Sequence, residues 1–341
     1  MPHNKKPNVF IVGSPKCGTS AFAHYLAAHP DIYVARKEMH FFGSDLRFGP
    51  QFYRRNQSAY LAEFAACDGQ ACVGEASVWY LFSHQAAVEI KAFSPDARII
   101  ILLREPVDML YSLYHQFRAD GNEHLPTFKE ALAAEDDRRA GRRITRQTYF
   151  AQGLVYRATA RYTEQVRRYF DAFGRERVQV IIYDDFVADT AGAYRDTLHF
   201  LGVDSSHVNI NFEVINGNKS VRCPALRAFL NDPLVRGTAI ALRSWLPHSA
   251  FATIQKVGDR LGQFNTRLEK RPPLAPDLQL SLRREFATEV DRLSALLGRD
   301  LTHWSRQEPP TAAHLPHPVS LPDEKFCLPS FQDTSSQWRV H

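Results

Sequence analysis

Three short apolar runs, each followed by a helical pattern, constrain the fold of this chain more than any other feature. The runs lie at residues 9–12, 98–103 and 178–183. They do not alternate apolar with polar residues, which is typical of parallel strands that are covered on both faces. The sequence therefore predicts an α/β protein in which helices flank a central parallel sheet.

Helical patterns follow these runs and recur later in the chain. The spacing and the start and stop residues predict helices over residues 19–28, 156–173, 190–201 and 276–297, and a helix that begins at Pro106. Each of the three apolar runs is thus a strand that leads directly into a helix. Alternation of this kind indicates one doubly covered sheet.

The length of 341 residues exceeds what one core usually fills, since single cores stop growing near ~250–300 residues. Residues 202–231 are loop-rich, and the proline-rich residues 306–341 predict an extended C-terminal tail. We therefore expect one domain over residues 1–305, followed by that tail.

Composition excludes several classes of protein. With 44% apolar and 23% charged residues the chain resembles an ordinary globular protein, and its longest apolar run is far below the ~18 residues of a membrane span. The N-terminus enters the first strand without a signal-peptide core, so we expect a cytoplasmic protein. Five cysteines without a CxxC pair predict neither a zinc site nor a disulfide framework.

The charge pattern leaves the ligand class open. A net charge of +5 suits an anionic cofactor as readily as a nucleic acid. Residues 138–146 contain five arginines, for which we favour a solvated face over an anion-binding lip.

The loop between the first strand and its helix is the main candidate site. Residues 13–20 read Gly-Ser-Pro-Lys-Cys-Gly-Thr-Ser and end at a helix N-terminus, where backbone N–H groups and the helix dipole favour a bound phosphate. The glycines allow close approach of the backbone, and Lys16 adds a positive charge. The alternative is an ordinary glycine-containing turn between strand and helix that binds no ligand.

A kinase or NTPase is a second alternative. The GxxxxGK[ST] pattern needs a lysine directly before the magnesium-binding hydroxyl, whereas Gly18 precedes Thr19 here and Lys16 comes earlier. The second strand ends in Arg104, where a Walker B strand has an aspartate. A metal-independent site held by cations fits this pattern better.

Two ordered motifs resemble those of sulfotransferases that use 3′-phosphoadenosine 5′-phosphosulfate (PAPS). Residues 10–20 look like the 5′-phosphosulfate loop, and residues 98–112 are similar to the 3′-phosphate motif, with Arg104 followed by Ser112 eight residues later. The likeness continues through residues 153–170 to 296–304. It implies a P-loop-like three-layer fold of the carbohydrate and heparan-type branch.

The resemblance also implies PAPS as cofactor and adenosine 3′,5′-bisphosphate as product. The residues it assigns to cofactor binding are Ser14, Pro15, Lys16, Cys17, Gly18, Thr19, Ser20, Arg104, Ser112, Lys219 and Arg222. A surface ion pair is the alternative for Arg104 and a buried small residue for Ser112. Lys219 and Arg222 match loosely, and a solvated loop explains them equally well.

Residues 36–42 look like the Glu-x-His-Phe-Phe stretch of the heparan-type enzymes, in which the glutamate is the proposed base. Glu38 is the matching residue and His40 is the reserve base. If the chain is extended here, both side chains lie on one face. The alternatives are a surface carboxylate and a packed histidine, and Phe41 and Phe42 are expected in the core.

One segment departs from the heparan-type pattern. In residues 74–80, Ala76 stands where those enzymes have an assisting lysine. This predicts an acceptor beyond glycosaminoglycans and leaves Glu75, Ser77 and Tyr80 as candidate cleft residues, with a core aromatic as the alternative for Tyr80.

The sequence therefore predicts a sulfotransferase that moves a sulfuryl group from PAPS to a hydroxyl or amine of a carbohydrate, glycolipid or natural-product acceptor. Lys16 would stabilise the leaving phosphate, and Glu38 or His40 would take the acceptor proton. The competing hypotheses are a nucleotide kinase or NTPase and a non-catalytic anion- or nucleic-acid-binding protein. We expect a small-molecule, sugar or lipid-linked partner and no nucleic acid, and the oligomeric state is not predicted.

Overall fold

The computed structural model describes residues 6–35, 38–49, 56–206, 212 and 271–306, and the backbone of residues 219–221 and 266–268. Arg222 and the predicted tail from residue 307 onward lie outside these residues, as does most of the predicted loop-rich segment. The tail and the loop-rich segment therefore stay predictions.

The described strands form two sheets. The larger has five parallel strands in the order β2-β3-β1-β4-β5, and a two-stranded antiparallel ladder pairs β6 with β7. The strands are β1 (Val9–Gly13), β2 (Ile32–Val34), β3 (Cys72–Ala76), β4 (Arg98–Leu103), β5 (Val178–Ile182), β6 (Lys219–Val221) and β7 (Thr266–Leu268).

Helices connect the parallel strands and cover the sheet. They are α1 (Thr19–Ala27), α2 (Gln57–Ala62), α3 (Ala86–Phe93), α4 (Pro106–Asp120), α5 (Phe128–Ala133), α6 (Glu135–Arg139), α7 (Tyr156–Thr159), α8 (Tyr162–Phe173), α9 (Tyr183–Ala188), α10 (Thr190–Leu201) and α11 (Pro276–Leu297). None of the helices in the described ranges is long and apolar enough to cross a bilayer.

Burial explains why the predicted strands lack alternation. Every residue of β1 and the last five residues of β4 are buried, so both faces of these strands contact other elements. The predicted α/β class with a central parallel sheet is confirmed. The helices predicted at residues 19–28, 190–201 and 276–297 are also present, with ends that differ by one residue at most.

One predicted helix was wrong in its continuity. Residues 156–173 form two helices, α7 and α8, rather than one. Backbone carbonyls at this break have side-chain partners, because the Gln165 amide donates to the carbonyl oxygens of Ala158 and Thr159 at 3.1 and 3.2 Å. A polar side chain thus replaces helical hydrogen bonds that the sequence pattern alone predicts.

Part of the arginine-rich segment is structural. Arg138 is buried and its Nη2 lies 2.7 Å from Oε1 of Glu123, which also accepts from Tyr156 through Oε2 at 3.0 Å. Arg139 and Arg142 pair with neighbouring aspartates on the surface. The predicted solvated face fits Arg139 and Arg142, whereas Arg138 belongs to the core. All three pair with carboxylates of the fold, which argues against an anion-binding lip at these residues.

The strand order determines where a ligand crevice opens. The chain runs through β2 and β3 on one side of β1 and then crosses to β4 and β5 on the other side. Open α/β sheets bind ligands at such switch points, outside the carboxyl ends of the strands. The loop after β1 occupies this position.

Candidate active site

The phosphate loop, residues 13–20, starts at a closely packed glycine. A Cβ built on Gly13 would lie 2.6 Å from Cβ of Leu81 and 2.8 Å from the carbonyl oxygen of Val78. Beyond it, the backbone N–H of Ser14 donates to the Leu102 carbonyl at 2.7 Å. The loop is thus fixed against the segment after β3 on one side and against β4 on the other.

The loop ends at Gly18, which precedes α1 in the left-handed conformation with φ of 84°. Gly18 is the N-cap residue of α1 and has no side chain with which to cap the helix. A Cβ on Gly18 would lie 3.0 Å from the Phe186 ring. Thr19 is buried and Ser20 half-buried in the first turn of the helix.

Lys16 and Cys17 have opposite environments in this loop. Lys16 is half-buried and its Nζ donates to Oε1 of Gln116 on α4 at 3.0 Å. Cys17 is fully buried, its Sγ donates to the Pro15 carbonyl at 3.4 Å, and burial raises its pKa to about 12. The Cys17 thiol is therefore buried and neutral. The sequence singled out Lys16 for its charge but gave no sign that Cys17 is buried.

Arg104 follows the last residue of β4, on the opposite side of β1 from β3. Its side chain is 20% exposed, its Nη2 lies 3.3 Å from Oδ2 of Asp108, and its guanidinium lies 4.8 Å from the Tyr183 ring centroid. The ion pair that was the alternative for Arg104 is therefore present. Ser112 is buried on α4, two helical turns further along the chain.

Arg271 is a candidate residue that the sequence analysis missed. Burial and, after it, the nearby Arg104 guanidinium lower the pKa of Arg271. Tyr111 on α4 donates to the carbonyl of the next residue, Pro272, at 3.0 Å, which holds this segment over the helix. Two partly buried cations that repel each other favour an anion between them. Nothing in the local sequence around residue 271 signals this contact, because it joins distant parts of the chain.

The acceptor segment, residues 38–42, is hydrogen-bonded to the carboxyl end of β3. The Glu38 N–H donates to the carbonyl of Ala76, the last residue of β3, at 2.8 Å, and its Oε2 accepts from the Val78 N–H at 3.2 Å. His40 Nε2 lies 3.6 Å from the same Oε2, and the imidazole stacks on Phe48 with centroids 4.2 Å apart.

The extended backbone on which the shared face of Glu38 and His40 was conditional is not present at this segment. Glu38 and His40 both adopt the left-handed region, with φ of 62° and 49°. The two side chains nevertheless meet, because the chain curls rather than alternates. Glu38 is 34% exposed and His40 only 7%, so the carboxylate is the more accessible of the two.

Glu75, Ser77 and Tyr80 lie beneath the acceptor segment rather than in the cleft. All three are buried, and the Glu75 carboxylate accepts from Ser77 Oγ at 2.9 Å, from Tyr80 Oη at 2.6 Å and from Tyr60 Oη. Burial raises the pKa of Glu75 to about 7, although the three hydroxyl donors act to lower it. Burial argues against Glu75, Ser77 and Tyr80 as cleft residues, and Tyr80 is the core aromatic that was its alternative.

The expected site residues therefore divide among neighbouring strand ends. The phosphate loop follows β1, the acceptor segment is bonded to the end of β3, and Arg104 follows β4. In the sheet, β1 lies between β3 and β4. Adjacent parallel strands lie about 4.8 Å apart, so these three groups share one edge of the sheet. Lys219 begins β6, but its side chain lies outside the described part of the chain, as does Arg222.

Fold and site together define a class: a parallel α/β protein with a glycine-containing loop and a helix N-terminus at the switch point of its sheet. A family model described as "Sulfotransferase domain" matches residues 6–228. Because this match covers more than half of the chain, the chain belongs to the sulfotransferase family and is an enzyme of the sulfotransferase type. The resemblance inferred from the two motifs is confirmed.

Individual relatives agree with this assignment. The chain is 27% identical to human heparan sulfate glucosamine 3-O-sulfotransferase 3B1 over 58% of its own length and 46% of the relative's. It is 35% identical to human heparan sulfate glucosamine 3-O-sulfotransferase 6 over 37% of its length and 34% of the relative's. The chain thus spans less than half the length of these curated relatives.

A solved structure matches over a larger share. The sulfotransferase from Alicyclobacillus acidocaldarius is 32% identical, with a TM-score of 0.66, and the match covers 89% of this chain and all of that one. The similarity of fold therefore extends well beyond the phosphate loop.

Proposed function

We propose that this enzyme transfers a sulfuryl group from PAPS to a hydroxyl or amine of a carbohydrate, glycolipid or natural-product acceptor. The observation that carries the proposal is the Glu38 carboxylate beside His40, in a segment held at the carboxyl end of β3, the strand next to β1. A base and an anion-binding loop on neighbouring strand ends are what direct transfer between two bound substrates requires.

The chemistry of the donor set supports PAPS as the cofactor. The first turn of α1 and the half-buried Lys16 suit the 5′-phosphosulfate, and Arg104, Ser112 and Arg271 suit a second phosphate on the other side of β1. When bound, PAPS supplies an activated sulfuryl group whose leaving group is a phosphate.

Lys16 stabilises the charge that grows on that leaving phosphate, at the position where a preorganised cation has its largest effect. The site as proposed is metal-independent, with these cations supplying the positive charge.

Glu38 takes the proton of the acceptor in this proposal. It is the accessible member of the pair, and the Val78 N–H holds its Oε2 in place. His40 lies behind it, stacked on Phe48, and acts as the reserve base. When PAPS is bound, Lys16 would hold the leaving phosphate and Glu38 would face the acceptor hydroxyl or amine.

The acceptor class rests on the relatives. The two human relatives are named for the glucosamine of heparan sulfate, which supports a sugar acceptor. Ala76 replaces the lysine of the heparan-type pattern at the end of β3, next to the Glu38 backbone, and this favours a different or less anionic sugar.

The test is mass spectrometry of an acceptor panel incubated with the enzyme and PAPS. The panel contains heparan sulfate oligosaccharides, neutral oligosaccharides, glycolipids and hydroxylated small molecules. We expect the mass of one sulfuryl group to be added to a sugar-containing acceptor, and loss of that product in the Glu38→Gln variant. Transfer that is unchanged in Glu38→Gln contradicts the assignment of the base and moves it to His40.

A further inference from the structure

A buried carboxylate underlies the acceptor segment. Glu75 is 1% exposed and is surrounded by three hydroxyl groups, those of Tyr60, Ser77 and Tyr80, each of which donates to it. A buried carboxylate is stable only when hydrogen bonds replace its hydration, and charge-assisted bonds are the strong ones. Glu75 is therefore held by a fixed set of donors.

Two of these hydroxyls also accept hydrogen bonds from the acceptor segment. Tyr80 Oη accepts from the backbone N–H groups of Phe41 and Phe42 at 2.8 and 3.2 Å. Ser77 Oγ accepts from the N–H of His40 at 3.2 Å. Three consecutive backbone donors of the segment thus end on hydroxyls that are themselves bound to the carboxylate.

The direction of these bonds follows from the chemistry of a hydroxyl group. A hydroxyl has one proton to donate and two lone pairs that accept. When Ser77 and Tyr80 give their protons to Glu75, only their lone pairs remain for the acceptor segment. The carboxylate therefore fixes both hydroxyls in the orientation that accepts the backbone N–H groups.

The acceptor segment needs such support because its backbone is strained. Glu38 and His40 both have positive φ, a region that L-residues with a side chain rarely adopt. Strained residues of this kind persist only where the surroundings determine the conformation. The hydrogen bonds from the backbone N–H groups of residues 40–42 to Ser77 and Tyr80 fix the conformation of the segment.

We propose that Glu75 is the positioning residue of the acceptor site: through the hydroxyls of Ser77 and Tyr80 it holds residues 38–42 in the curled conformation that presents the Glu38 carboxylate. Glu75 itself does not touch the acceptor. This inference rests on the proposed function for its catalytic consequence, but not for its structural one.

The chain contains a matched pair of variants. Tyr60→Phe and Tyr80→Phe each remove one hydroxyl that donates to Glu75. Among the described residues the Tyr60 hydroxyl bonds only Glu75, whereas the Tyr80 hydroxyl also accepts from the acceptor segment. A role limited to core stability predicts similar effects for the two variants. Positioning predicts a larger effect for Tyr80→Phe.

The experiment measures hydrogen exchange of residues 38–42 together with steady-state kinetics in Glu75→Gln, Tyr80→Phe and Tyr60→Phe. In Glu75→Gln the amide keeps the shape but presents its own donors to the hydroxyls. We expect exchange in the segment to quicken about tenfold in Glu75→Gln and Tyr80→Phe, as for loss of a hydrogen bond. With the acceptor found by the panel, kcat should fall up to about a hundredfold, as for misplacement by 1 Å. The KM for PAPS should be unchanged, and Tyr60→Phe should change both readouts much less.

The result that overturns the inference is segment exchange and kcat in Glu75→Gln equal to those of the wild type, or equal effects of Tyr60→Phe and Tyr80→Phe. If the wild type transfers no sulfuryl group to any acceptor, the proposed function fails. The exchange measurement alone then decides whether Glu75 holds the segment.

Discussion

The phosphate end and the acceptor end of this site are built differently. At the phosphate end, the loop after β1 depends on backbone geometry, with Gly13 packed against Leu81 and Gly18 in the left-handed conformation before α1. At the acceptor end, residues 38–42 contain no glycine. Their strained backbone is held by side-chain hydroxyls that donate to buried Glu75.

This difference separates two ways of fixing a functional group. At the phosphate end, glycines close together in the sequence allow the backbone conformation, and distant residues such as Leu81 and Leu102 hold the loop in place through packing and one backbone hydrogen bond. The acceptor segment is specified by residues on β3 and after it, so it is sensitive to a change that never touches a ligand. We therefore expect substitutions at the two ends to affect different measurements, and five predictions test this.

The largest effect is expected at the acceptor end. Glu38→Gln removes the proposed base, so turnover should fall by about 10²–10⁴, the contribution typical of general base catalysis. Binding of adenosine 3′,5′-bisphosphate should be unchanged, because Glu38 belongs to the other end. Kinetics and calorimetric titration of the same sample measure both. Weakened nucleotide binding would show that the two ends are not independent.

Lys16→Ala should follow, with turnover reduced by about 10²–10³, the range for loss of one donor that stabilises developing charge. The reason is the loss of positive charge at the leaving phosphate. The control is Lys129→Ala on α5, where the lysine is exposed, and this variant should match the wild type. A Lys16→Ala enzyme with full turnover would remove Lys16 from the mechanism.

The buried carboxylate predicts a dependence of stability on pH. The pKa of Glu75 rises from 4.5 to about 7 on folding, so the folded protein holds this proton more tightly than the unfolded chain. Its stabilising contribution is complete below pH 4.5 and is lost as the pH rises through about 7.

Glu75→Gln does not titrate at this position. The free energy of unfolding of Glu75→Gln, taken relative to that of the wild type, should therefore increase by on the order of 3 kcal/mol between pH 5 and pH 8. Urea denaturation at both pH values measures this, with the exposed Glu164→Gln variant as control. A constant difference between Glu75→Gln and wild type would rule out the shifted pKa.

At the phosphate end, Arg104→Lys should weaken binding of adenosine 3′,5′-bisphosphate about tenfold, because an ammonium cannot form the two parallel bonds of a guanidinium. Arg139→Lys is the matched control, since Arg139 is exposed and paired with Asp136. Calorimetric titration distinguishes them. Equal affinities of the two variants for adenosine 3′,5′-bisphosphate would show that Arg104 serves only in its ion pair with Asp108.

The smallest effect concerns the loop backbone. Gly18→Ala and Gly121→Ala both place a Cβ at positive φ, but only at Gly18 does the Cβ meet other atoms, those of Tyr183 and Phe186. Gly18→Ala should therefore destabilise the fold by about 1 kcal/mol more than Gly121→Ala. Thermal unfolding measures the difference. Equal losses would mean that the rings yield and that the close approach is not required.

The sequence predicted the phosphate end well because that end is local. The strand, the loop and the helix are consecutive in the chain, and β4 leads directly to Arg104, so apolar runs and glycines suffice to recognise them. The central parallel sheet was predicted for the same reason, although β2 and β3 were not recognised as strands.

The acceptor end was predicted only in part, because its conformation depends on contacts between distant residues. The motif identified Glu38 and His40 as candidates, but their shared face was expected only for an extended backbone, and φ is positive at both residues. Glu75 and Tyr80 could be given only as candidates for the cleft, since burial cannot be seen from residues 74–80 alone. Arg271 was missed because its proximity to Arg104 depends on tertiary structure.

The most direct test of the whole account is a calorimetric titration of adenosine 3′,5′-bisphosphate into the folded wild-type chain without added magnesium. The account predicts saturable binding that also raises the melting temperature, because a ligand that binds only the native state stabilises it. A folded sample that shows neither binding nor a shift at saturating concentration would contradict it.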